Sequence, residues 1–513
     1  MSRGGQRLRR ELHAGADPDR QRRERLAAET GTIYRDAPLR IALAYPNPYR
    51  VAMSSLGYQV MYRMMNARPN LSCERVVLAD DVAAFRQRRK PPVSLESGRP
   101  LAEFDFIAYS IAYDLDLPGF FELLDTGGVP VRRDERTDGD PLIILGGPLT
   151  ASNPLPLGPF IDLAVIGDGE VAVARLLDLI ESATSRANLK AQAAKIEGVW
   201  VPELHGDAIP ATQKVTVGAL PAVGQIVTPD TEFSNMFLIE ASRGCPRFCK
   251  FCLVRAPESP MREPSLEEVM AGIPAWAPRV GFVGAAVSEW TGIREAVKRV
   301  VEMGKGVGLS SLRAERLDEE FVDLLARGGY RTMTIAADAP SQRLRDKMAK
   351  GVRTRHLREA AILARRFGMT KLKMYVIVGL PGEGDEDITE LIEFSRELAG
   401  ILPLALGVSP LVPKLHTPLG DAPFAGIPEI ERTLARLRRE LRGIADLRST
   451  SAKWAWIEYR VSQGAQDVGL AALEAWRSGG SFAAWKSALA GSDERGALRA
   501  AREHHHFAPA GMR

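Results

Sequence analysis

The sequence has 513 residues, of which 45% are hydrophobic and 26% charged, and its formal net charge is +4 at pH 7. This composition is ordinary for a globular protein, and the length suggests about three domains. The small net charge does not by itself predict a nucleic-acid partner, and no run of about 20 apolar residues predicts a membrane span. We therefore expect a cytoplasmic protein with neither nucleic-acid nor membrane partners.

Residues 1–38 form a polar extension that is rich in arginine but also carries acidic residues. We expect this extension to be partly helical. A run of arginines on a helix most often forms a solvated face, and we favour that interpretation over a binding arm.

Residues 39–195 alternate between short apolar strands and helices. Such alternation predicts an α/β domain with a doubly wound, Rossmann-like parallel sheet, in which ligands bind outside the carboxyl ends of the strands. The predicted strands are Arg40–Tyr45, Arg75–Leu78, Phe104–Ser110, Pro141–Leu145 and a strand that begins at Ile161. Residues 196–232 predict a linker with brief strands, because proline, glycine and threonine are scattered through them.

Two glycine turns follow strands of this domain and supply candidate cofactor-binding residues. Gly146 and Gly147 precede Pro148, and Gly167 and Gly169 flank Asp168 before Glu170 opens a helix. Because glycine has no side chain, the backbone can approach a ligand closely at these turns. Each turn alone is a weak signal, since any α/β domain has glycine turns after its strands.

Three cysteines, Cys245, Cys249 and Cys252, lie within eight residues and have the spacing Cys-x3-Cys-x2-Cys. Three thiolates can bind three irons of a four-iron cluster, and the fourth iron then keeps an open position for a small molecule. Structural zinc usually needs four ligands, but Cys73 lies far upstream and no histidine closely follows Cys252. Four cysteines are also too sparse for a disulfide framework, so the pattern favours a cluster.

Residues 233–425 again alternate between strands and helices. Six predicted strands indicate a partial (β/α)6 barrel, in which chemistry occurs at the carboxyl ends of the strands. These strands are Phe237–Glu240, Val280–Ser288, Val307–Leu312, Thr332–Ala337, Lys371–Val378 and Leu404–Ser409. Residues 426–513 predict a small helical region, and we interpret His504, His505 and His506 as part of a frayed tail.

The cysteine segment, with Phe251 directly before the last cysteine, resembles the cluster loop of the radical S-adenosylmethionine superfamily. The resemblance implies a [4Fe–4S] cluster whose open iron chelates S-adenosylmethionine, and it makes the three cysteines both metal ligands and catalytic residues. One electron then cleaves the sulfonium to methionine and a 5′-deoxyadenosyl radical, which takes a hydrogen atom from the substrate. A small-molecule or peptide substrate and an electron donor such as flavodoxin or ferredoxin are also implied.

The same resemblance assigns contacts with S-adenosylmethionine to residues at the ends of successive barrel strands. The third residue of the family's Gly-Gly-Glu element is Ala286 here, so backbone carbonyls would have to bind the amino group. Taken singly, a polar residue at a strand end is more often a cap or a turn former than a ligand contact. The candidate cofactor-binding residues, besides Phe251, are Gly284, Ala285, Ser311, Arg313, Asp338, Ser341 and Gly379.

Upstream of a cluster loop, the two glycine turns resemble the cobalamin-binding domain of cobalamin-dependent radical enzymes. The resemblance implies cobalamin and radical methylation of an unactivated carbon. Many cobalamin proteins also carry an Asp-x-His-x-x-Gly motif, whereas no histidine occurs here between His13 and His205. No side-chain imidazole of this domain could be the lower ligand, which leaves open a domain that kept its fold and lost its cofactor.

Two residues after the sixth predicted barrel strand, Lys414 and His416, lie in a Pro-Lys-x-His-Thr-Pro element found in one branch of these proteins. They are candidate substrate or cofactor contacts, and a rigid proline loop with solvated side chains is an equally good interpretation. Cobalamin-free rearrangement, cyclisation or sulfur insertion remains an alternative reaction. A non-enzymatic iron–sulfur redox protein is the alternative from another class.

Overall fold

The computed structural model describes residues 17–256 and 258–503, so the terminal histidines and the first 16 residues of the predicted extension lie outside the described chain. The described chain divides into two compact units. The first contains the residues up to Val215 together with Gly224–Asn235 and Gly469–Gly480, and the second contains Thr216–Val223, Met236–Val468 and the residues from Ser481 onward.

The first unit is built on a six-stranded sheet, which confirms the predicted doubly wound fold. The strand order is β2-β1-β3-β4-β5-β6, and only β6 runs antiparallel to its neighbour. The direction of winding therefore reverses between β1 and β3, and in such sheets the ligand crevice lies at that point. The strands are β1 (Leu39–Pro48), β2 (Leu71–Leu78), β3 (Phe106–Ser110), β4 (Leu142–Gly146), β5 (Leu163–Val165) and β6 (Val199–Trp200).

Helices surround this sheet, and most of them bury apolar side chains, such as Tyr58 and Leu176 in a common core. They are α1 (Pro18–Ala27), α2 (Tyr49–Ala52), α3 (Leu56–Asn66), α4 (Val82–Gln87), α5 (Leu117–Thr126), α6 (Glu170–Ser182), α7 (Arg186–Ala193) and α8 (Pro202–His205). The later segment Gly469–Gly480 also belongs here, because Trp476 packs against Phe121 with ring centroids 5.9 Å apart.

Two arginines of α1 do not lie on a solvated face as the sequence predicted. Arg25 forms ion pairs with Asp80 at 2.6 Å and Asp230 at 3.2 Å, and only 13% of its side chain is exposed. Arg22 donates to the carbonyl of Leu95 at 2.7 Å. The interpretation as a solvated face is wrong for these two side chains, because their partners come from segments that are distant in sequence.

The second unit contains seven parallel strands in two sheets, ordered β7-β8-β9 and β10-β11-β12-β13, and no ladder joins β9 to β10 in the described chain. The predicted partial barrel is confirmed, but its strand count of six is wrong. The seventh strand, Ala445–Ser449, lies in the region predicted to be helical. The strands are β7 (Phe237–Glu240), β8 (Arg279–Val283), β9 (Gly306–Leu309), β10 (Thr332–Ala336), β11 (Lys371–Val378), β12 (Leu404–Pro410) and β13 (Ala445–Ser449).

Helices follow most of these strands, and the first of them begins with a capping box in which Ser265 and Glu268 bond each other's backbone N–H groups. They are α9 (Leu266–Ala271), α10 (Ile293–Glu302), α11 (Glu319–Arg327), α12 (Gln342–Lys347), α13 (Thr354–Arg366), α14 (Asp385–Ile401), α15 (Ile427–Glu440), α16 (Ala452–Gln463), α18 (Phe482–Ala488) and α19 (Gly496–Glu503). The helix between α16 and α18, α17 (Gln466–Arg477), belongs mostly to the first unit. Across the described residues, no helix combines the length and the apolar character that crossing a bilayer requires.

Candidate active site

The three cysteines lie on a loop that leaves β7 and is held by backbone hydrogen bonds. Gly244 has a φ of +82°, and a Cβ atom there would lie 2.3 Å from the carbonyl oxygen of Pro260. The N–H of Cys245 donates to Ser259 at 3.0 Å, and Arg243 and Arg262 exchange two backbone hydrogen bonds. Glycine is required at position 244 because the returning chain leaves no space for a side chain.

All three thiols are free, and their chemistry fits a cluster ligand set. Cys249 is buried, while Cys245 and Cys252 are half-buried. Burial raises the pKa of the Cys245 and Cys252 thiols. In the described chain no group of three His, Cys, Asp or Glu side chains could hold a metal ion. Each thiolate of a four-iron cluster binds a different iron, so cluster ligands need not converge on one point as ligands of a single ion do.

Phe251 fastens the cysteine loop to the carboxyl ends of the second barrel sheet. Its half-buried ring packs against a small apolar cluster contributed by the segments after β10, β11 and β12. The sequence assigned Phe251 to the cofactor site, and in the structure its ring contacts these packing residues. The buried members of that cluster are Ala339, Leu344, Met348, Leu380 and Leu411.

The buried carboxylate of Glu289 forms ion pairs with three arginines beside the cysteine loop. Only 2% of its side chain is exposed, and it lies 2.9 Å from Arg247, 3.2 Å from Arg313 and 2.6 Å from Arg316. Burial opposes the charged form, but hydrogen bonds from Arg316 and Arg247 outweigh it and lower the pKa of Glu289. The sequence analysis missed this residue, because its partners lie at the ends of different elements.

Arg313 follows β9 as predicted, and its positive charge opposes the rise in the pKa of Cys245. However, the guanidinium that was predicted to bind a ligand carboxylate already donates hydrogen bonds to protein groups. Nε donates to Glu315 at 2.6 Å, and Nη2 donates to the carbonyl of Lys350 at 2.6 Å. A ligand carboxylate would have to share this guanidinium with protein partners.

Ser311 and Gly284 meet where β8 and β9 end. The Ser311 hydroxyl accepts from the N–H of Val287 at 3.1 Å, and Gly284 exchanges hydrogen bonds with the Ser310 hydroxyl. A Cβ at Gly284 would lie 2.5 Å from the carbonyl oxygen of Ser242, so packing alone requires this glycine. Ala285 is exposed beside it.

Asp338 and Ser341 follow β10, but the structure gives them different surroundings. Asp338 has a φ of +56° and forms an ion pair with Lys350, and its negative charge contributes to the raised pKa of Cys252. Ser341 is buried, caps α12 by accepting from Leu344, and donates to Asp387. The predicted ligand contact at Ser341 is not supported, because the fold itself uses this hydroxyl.

Gly379 ends β11 in the left-handed region, with a φ of +76°. A Cβ there would lie 2.5 Å from Cδ1 of Ile430. The N–H groups of Gly379 and Leu380 donate to the Glu383 carboxylate at 2.9 and 3.3 Å. Burial nevertheless raises the pKa of Glu383 to about 7.

In the first unit, the two glycines after β4 have different environments. Gly147 has a φ of +100°, and a Cβ there would lie 2.5 Å from the carbonyl oxygen of Ile111. Gly146 is the last residue of β4, and a Cβ there would be 3.8 Å from the carbonyl oxygen of Tyr109, which is an ordinary contact. The structure of the strand turn therefore requires Gly147 but not Gly146.

Of the two glycines after β5, packing explains Gly167. Gly167 has a φ of +90°, and a Cβ there would lie 2.5 Å from the carbonyl oxygen of Gln213. Gly169 is the N-terminal cap residue of α6 and faces Met61. None of the four glycines needs a ligand to explain its backbone.

Three exposed apolar side chains follow the carboxyl ends of β1, β3 and β5 in this unit. They are Val51, Tyr113 and Val171, exposed by 42%, 40% and 54%. Because these strands are parallel members of one sheet, the three side chains lie along its carboxyl edge, where ligands of such sheets bind. Sequence reasoning missed them, since it singled out glycines and could not give the strand order.

The candidate residues after β12 are tied into the second unit. Lys414 forms an ion pair with Glu458 at 2.8 Å, and both side chains are largely buried. His416 has a φ of +62°. The interpretation of Lys414 as a solvated side chain is therefore wrong, and the ion pair also limits its availability to a substrate.

The fold and the site define an α/β protein with a Rossmann-like unit and a three-cysteine loop at the carboxyl ends of a partial barrel. Residues 57–202 match the family model of radical SAM proteins, N-terminal, and residues 239–395 match that of the radical SAM superfamily. The chain belongs to the radical S-adenosylmethionine superfamily.

Relatives in sequence are distant. The chain is 28% identical over 386 residues to an uncharacterised protein of Methanocaldococcus jannaschii, covering 74% of this chain and 78% of that protein. It is 23% identical over 270 residues to an uncharacterised methyltransferase of Pyrococcus horikoshii, covering 50% and 58%. A threonylcarbamoyladenosine tRNA methylthiotransferase of Aquifex aeolicus is 23% identical over 206 residues, covering 36% and 50%.

Solved structures share the fold. The cobalamin- and [4Fe–4S]-bound radical S-adenosylmethionine methyltransferase TsrM of Kitasatospora setae aligns with a TM-score of 0.53 at 16% identity, over 75% of this chain and 77% of TsrM. The apo form of the cobalamin-dependent radical enzyme OxsB aligns with a TM-score of 0.50 at 15% identity, over 80% and 55%. At these identities the likeness extends to the fold alone.

Proposed function

We propose that this protein reductively cleaves S-adenosylmethionine at a [4Fe–4S] cluster held by Cys245, Cys249 and Cys252. We further propose that it methylates an unactivated carbon of its substrate with the help of cobalamin. The observation that carries the proposal is the set of three free thiols on one fixed loop, at the end of the barrel where chemistry occurs in such folds.

When bound, the reduced cluster would supply one electron that breaks the bond between the sulfonium and C5′, and the resulting 5′-deoxyadenosyl radical takes a hydrogen atom from the substrate. The electron would come from a donor such as flavodoxin or ferredoxin. This chain's own residues hold the loop in place: Gly244 permits its tight return, and Phe251 anchors it in an apolar cluster. Arg313 adds a positive charge beside Cys245, which favours its thiolate form.

The first unit supplies the support for cobalamin. Val51, Tyr113 and Val171 are exposed apolar side chains after the carboxyl ends of its strands, which suits contact with the flat face of a large planar ring. Cobalamin bound there would supply the methyl group. Residues 39–195 contain no histidine, so cobalamin would have to be held there without an imidazole.

Sulfur insertion is a second candidate, favoured by the similarity to the tRNA methylthiotransferase. A second cluster, which would serve as the sulfur source, would need further cysteine ligands. The one remaining cysteine, Cys73, is buried and contacts the sulfur of Met65 at 3.7 Å. We therefore place methylation first.

Anaerobic reconstitution tests the radical step directly. The full chain is loaded with iron and sulfide, then given dithionite and S-adenosylmethionine, and 5′-deoxyadenosine is measured. We expect a cluster spectrum and 5′-deoxyadenosine formation. A cluster that forms but leaves S-adenosylmethionine intact with every reductant tried would refute the proposal.

Retention of hydroxocobalamin through gel filtration tests the cobalamin step. We expect a corrin absorbance near one equivalent, lost in the Tyr113→Ala variant. The matched control is Tyr34→Ala, a change to a 66% exposed tyrosine of the same unit that precedes β1. If the wild-type chain retains no corrin, the methylation proposal is wrong and a cobalamin-free radical reaction takes its place.

A further inference from the structure

One face of the four-stranded barrel sheet carries several polar, partly exposed side chains. Along β11, burial alternates, so that Met374 and Val376 are buried beneath α13, while Lys373 is half-buried and Tyr375 is 41% exposed on the opposite face. Side chains alternate between the two faces of a strand, so Lys373 and Tyr375 share the face turned away from the helices. We call this face the inner face.

The strand register extends the inner face across three strands. Tyr375 pairs with Gly407 on β12, and Gly407 pairs with Arg448 on β13, so the three residues form one row. A Cβ at Gly407 would lie 2.7 Å from the ring of Tyr375. The glycine therefore lets the tyrosine ring lie flat across the sheet, toward Arg448.

The charges of the inner face are predominantly positive. Lys373 lies over the ring of Tyr375, with Nζ 4.7 Å from its centroid, and it has no carboxylate partner among the described residues. Arg448 and Lys371 share one carboxylate, Asp446, at 2.9 and 3.5 Å. Three cations thus face a single anion on this surface.

This composition is unusual for the position in the fold. Barrel interiors are typically filled by branched apolar side chains, and parallel sheets are typically covered on both faces. Here the row above Lys373 carries Tyr375, Gly407 and Arg448, and the next row carries the exposed Ser409. Packing of the barrel does not account for a lysine and an arginine on its inner face.

The inner face leads to the cysteine loop. Ile377 lies two residues beyond Tyr375 on the same face, about 7 Å further along the strand. Ile377 packs with the apolar cluster that also contains Phe251. A molecule bound over Tyr375 would therefore lie next to the end of the barrel that carries the three thiols.

We propose that the inner face binds the substrate of the radical reaction through an anionic group, a carboxylate or a phosphate, held between Lys373 and Arg448 beside the ring of Tyr375. The two cationic residues are two strands apart, about 10 Å across the sheet, and both side chains are long enough to reach a common small anion over Gly407. Arginine supplies a planar fork for such a group, and lysine supplies a point charge. This inference rests on the proposed function, because it takes the bound molecule to be the substrate.

Chemical labelling of the reconstituted full chain tests the proposal without requiring turnover. Trinitrobenzenesulfonate, an anionic aromatic reagent for lysine, is applied with and without succinate or inorganic phosphate, and the labelling rate of each lysine is followed by peptide mass spectrometry. Lys453 is the internal control, because it also lies over an aromatic ring, Phe482, at 5.4 Å, but on α16. Sodium chloride at equal ionic strength controls for screening.

We expect succinate or phosphate, at about ten times its dissociation constant, to slow labelling of Lys373 about tenfold and to leave Lys453 unchanged. The anion that protects at the lower concentration identifies the carboxylate or the phosphate as the substrate group. Protection should be lost in the Arg448→Gln variant, whose circular dichroism verifies the fold. Protection by S-adenosylmethionine but by neither anion, or protection no greater than that of sodium chloride, would overturn the proposal.

Anion binding and the radical reaction are measured independently. Formation of 5′-deoxyadenosine in the same preparation reports the radical step, and labelling of Lys373 reports the anion site. A chain that cleaves S-adenosylmethionine but shows no anion protection refutes only this inference. A chain that protects Lys373 but cleaves nothing refutes the radical reaction and the bound anion's role as its substrate, and leaves only the anion site.

Discussion

The cysteine loop of the second unit and the glycine turns of the first unit were both singled out by sequence, but their structural basis differs. The cysteine loop carries three free thiols, which the fold does not need. In the glycine turns, by contrast, the fold needs Gly147 and Gly167, because both lie against neighbouring backbone. A reactive side chain is thus a stronger indicator of function than a glycine after a strand.

The first unit has a different kind of evidence for its ligand. Val51, Tyr113 and Val171 are exposed apolar side chains, and the first two follow β1 and β3, the strands between which the strand order predicts a crevice. The case for a cofactor in this unit rests on those three side chains. The predictions below separate the residues that the fold requires from those that the chemistry requires.

The largest effect is expected from Cys249→Ala. Removing one of three thiolates should reduce bound iron to the level of an unreconstituted sample and eliminate 5′-deoxyadenosine formation, because an incomplete ligand set cannot hold the cluster. Iron analysis and mass spectrometry of the product measure both. The control is Cys73→Ala, which changes the one cysteine outside the loop and should leave both quantities unchanged. Retained cleavage in Cys249→Ala would refute the ligand assignment.

Gly147→Ala against Gly146→Ala tests the glycine turn of the first unit. We expect Gly147→Ala to lower the free energy of unfolding by about 2–4 kcal/mol, because it combines a positive φ with a close contact to Ile111. Gly146→Ala should cost less than about 1 kcal/mol, since its Cβ would meet only an ordinary contact. Urea unfolding measures both values.

The Gly146→Ala variant also tests whether this turn takes part in cobalamin binding. If Gly146→Ala folds normally but loses hydroxocobalamin, backbone access at this turn is needed by the ligand and not by the fold. If Gly147→Ala and Gly146→Ala lower the free energy of unfolding equally, the fold does not distinguish the two glycines.

The sequence predicted the order of strands and helices well, because strands such as Leu142–Gly146 are continuous apolar runs bounded by turn residues. It missed β13, because Ala445–Ser449 is short and carries Asp446 and Arg448 on one face. A strand whose exposed face is charged lacks the apolar run that was used to recognise the others. Only its register with β12 reveals it.

The candidate site, too, could be predicted only in part from the sequence. The cysteines could be read from their spacing, since three reactive residues lie in one loop. Glu289 and the inner face could not, because their partners are brought together by the topology of the barrel. A serine after a strand can either cap the next helix or contact a ligand, and the structure shows that Ser341 forms a cap, through its hydrogen bonds with Leu344 and Asp387.

Glu289→Gln tests whether the arginine network supports the cysteine loop. We expect the free energy of unfolding to fall by about 1–3 kcal/mol, because three arginines lose a shared, buried carboxylate while Arg316 remains half exposed to solvent. Hydrogen exchange of the cysteine loop should also accelerate. The control is Glu295→Gln, which removes an exposed partner of Arg299 and should change stability by less than about 0.5 kcal/mol. Equal effects of the two variants would show that the network contributes nothing special.

Glu383→Gln is expected to have the smallest effect, visible mainly as a change in pH dependence. The pKa of Glu383 is raised from 4.5 to about 7, so between these values the folded chain holds a proton that the unfolded chain has released. Stability should therefore fall as pH rises from about 4.5 to 7. The full shift corresponds to about 3 kcal/mol, and solvent access to this half-buried side chain reduces it to about 1–2 kcal/mol.

Urea unfolding at pH 5 and pH 8 measures this dependence in the wild-type chain and the variant. Glutamine is neutral at both values, so Glu383→Gln should remove the Glu383 contribution to the slope and equal or exceed wild-type stability at pH 8. Glu386→Gln, on the same turn but 77% exposed, should keep the wild-type slope. An unchanged slope in Glu383→Gln would mean that the hydrogen bonds from Gly379 and Leu380 hold the carboxylate in its charged form and that burial does not dominate.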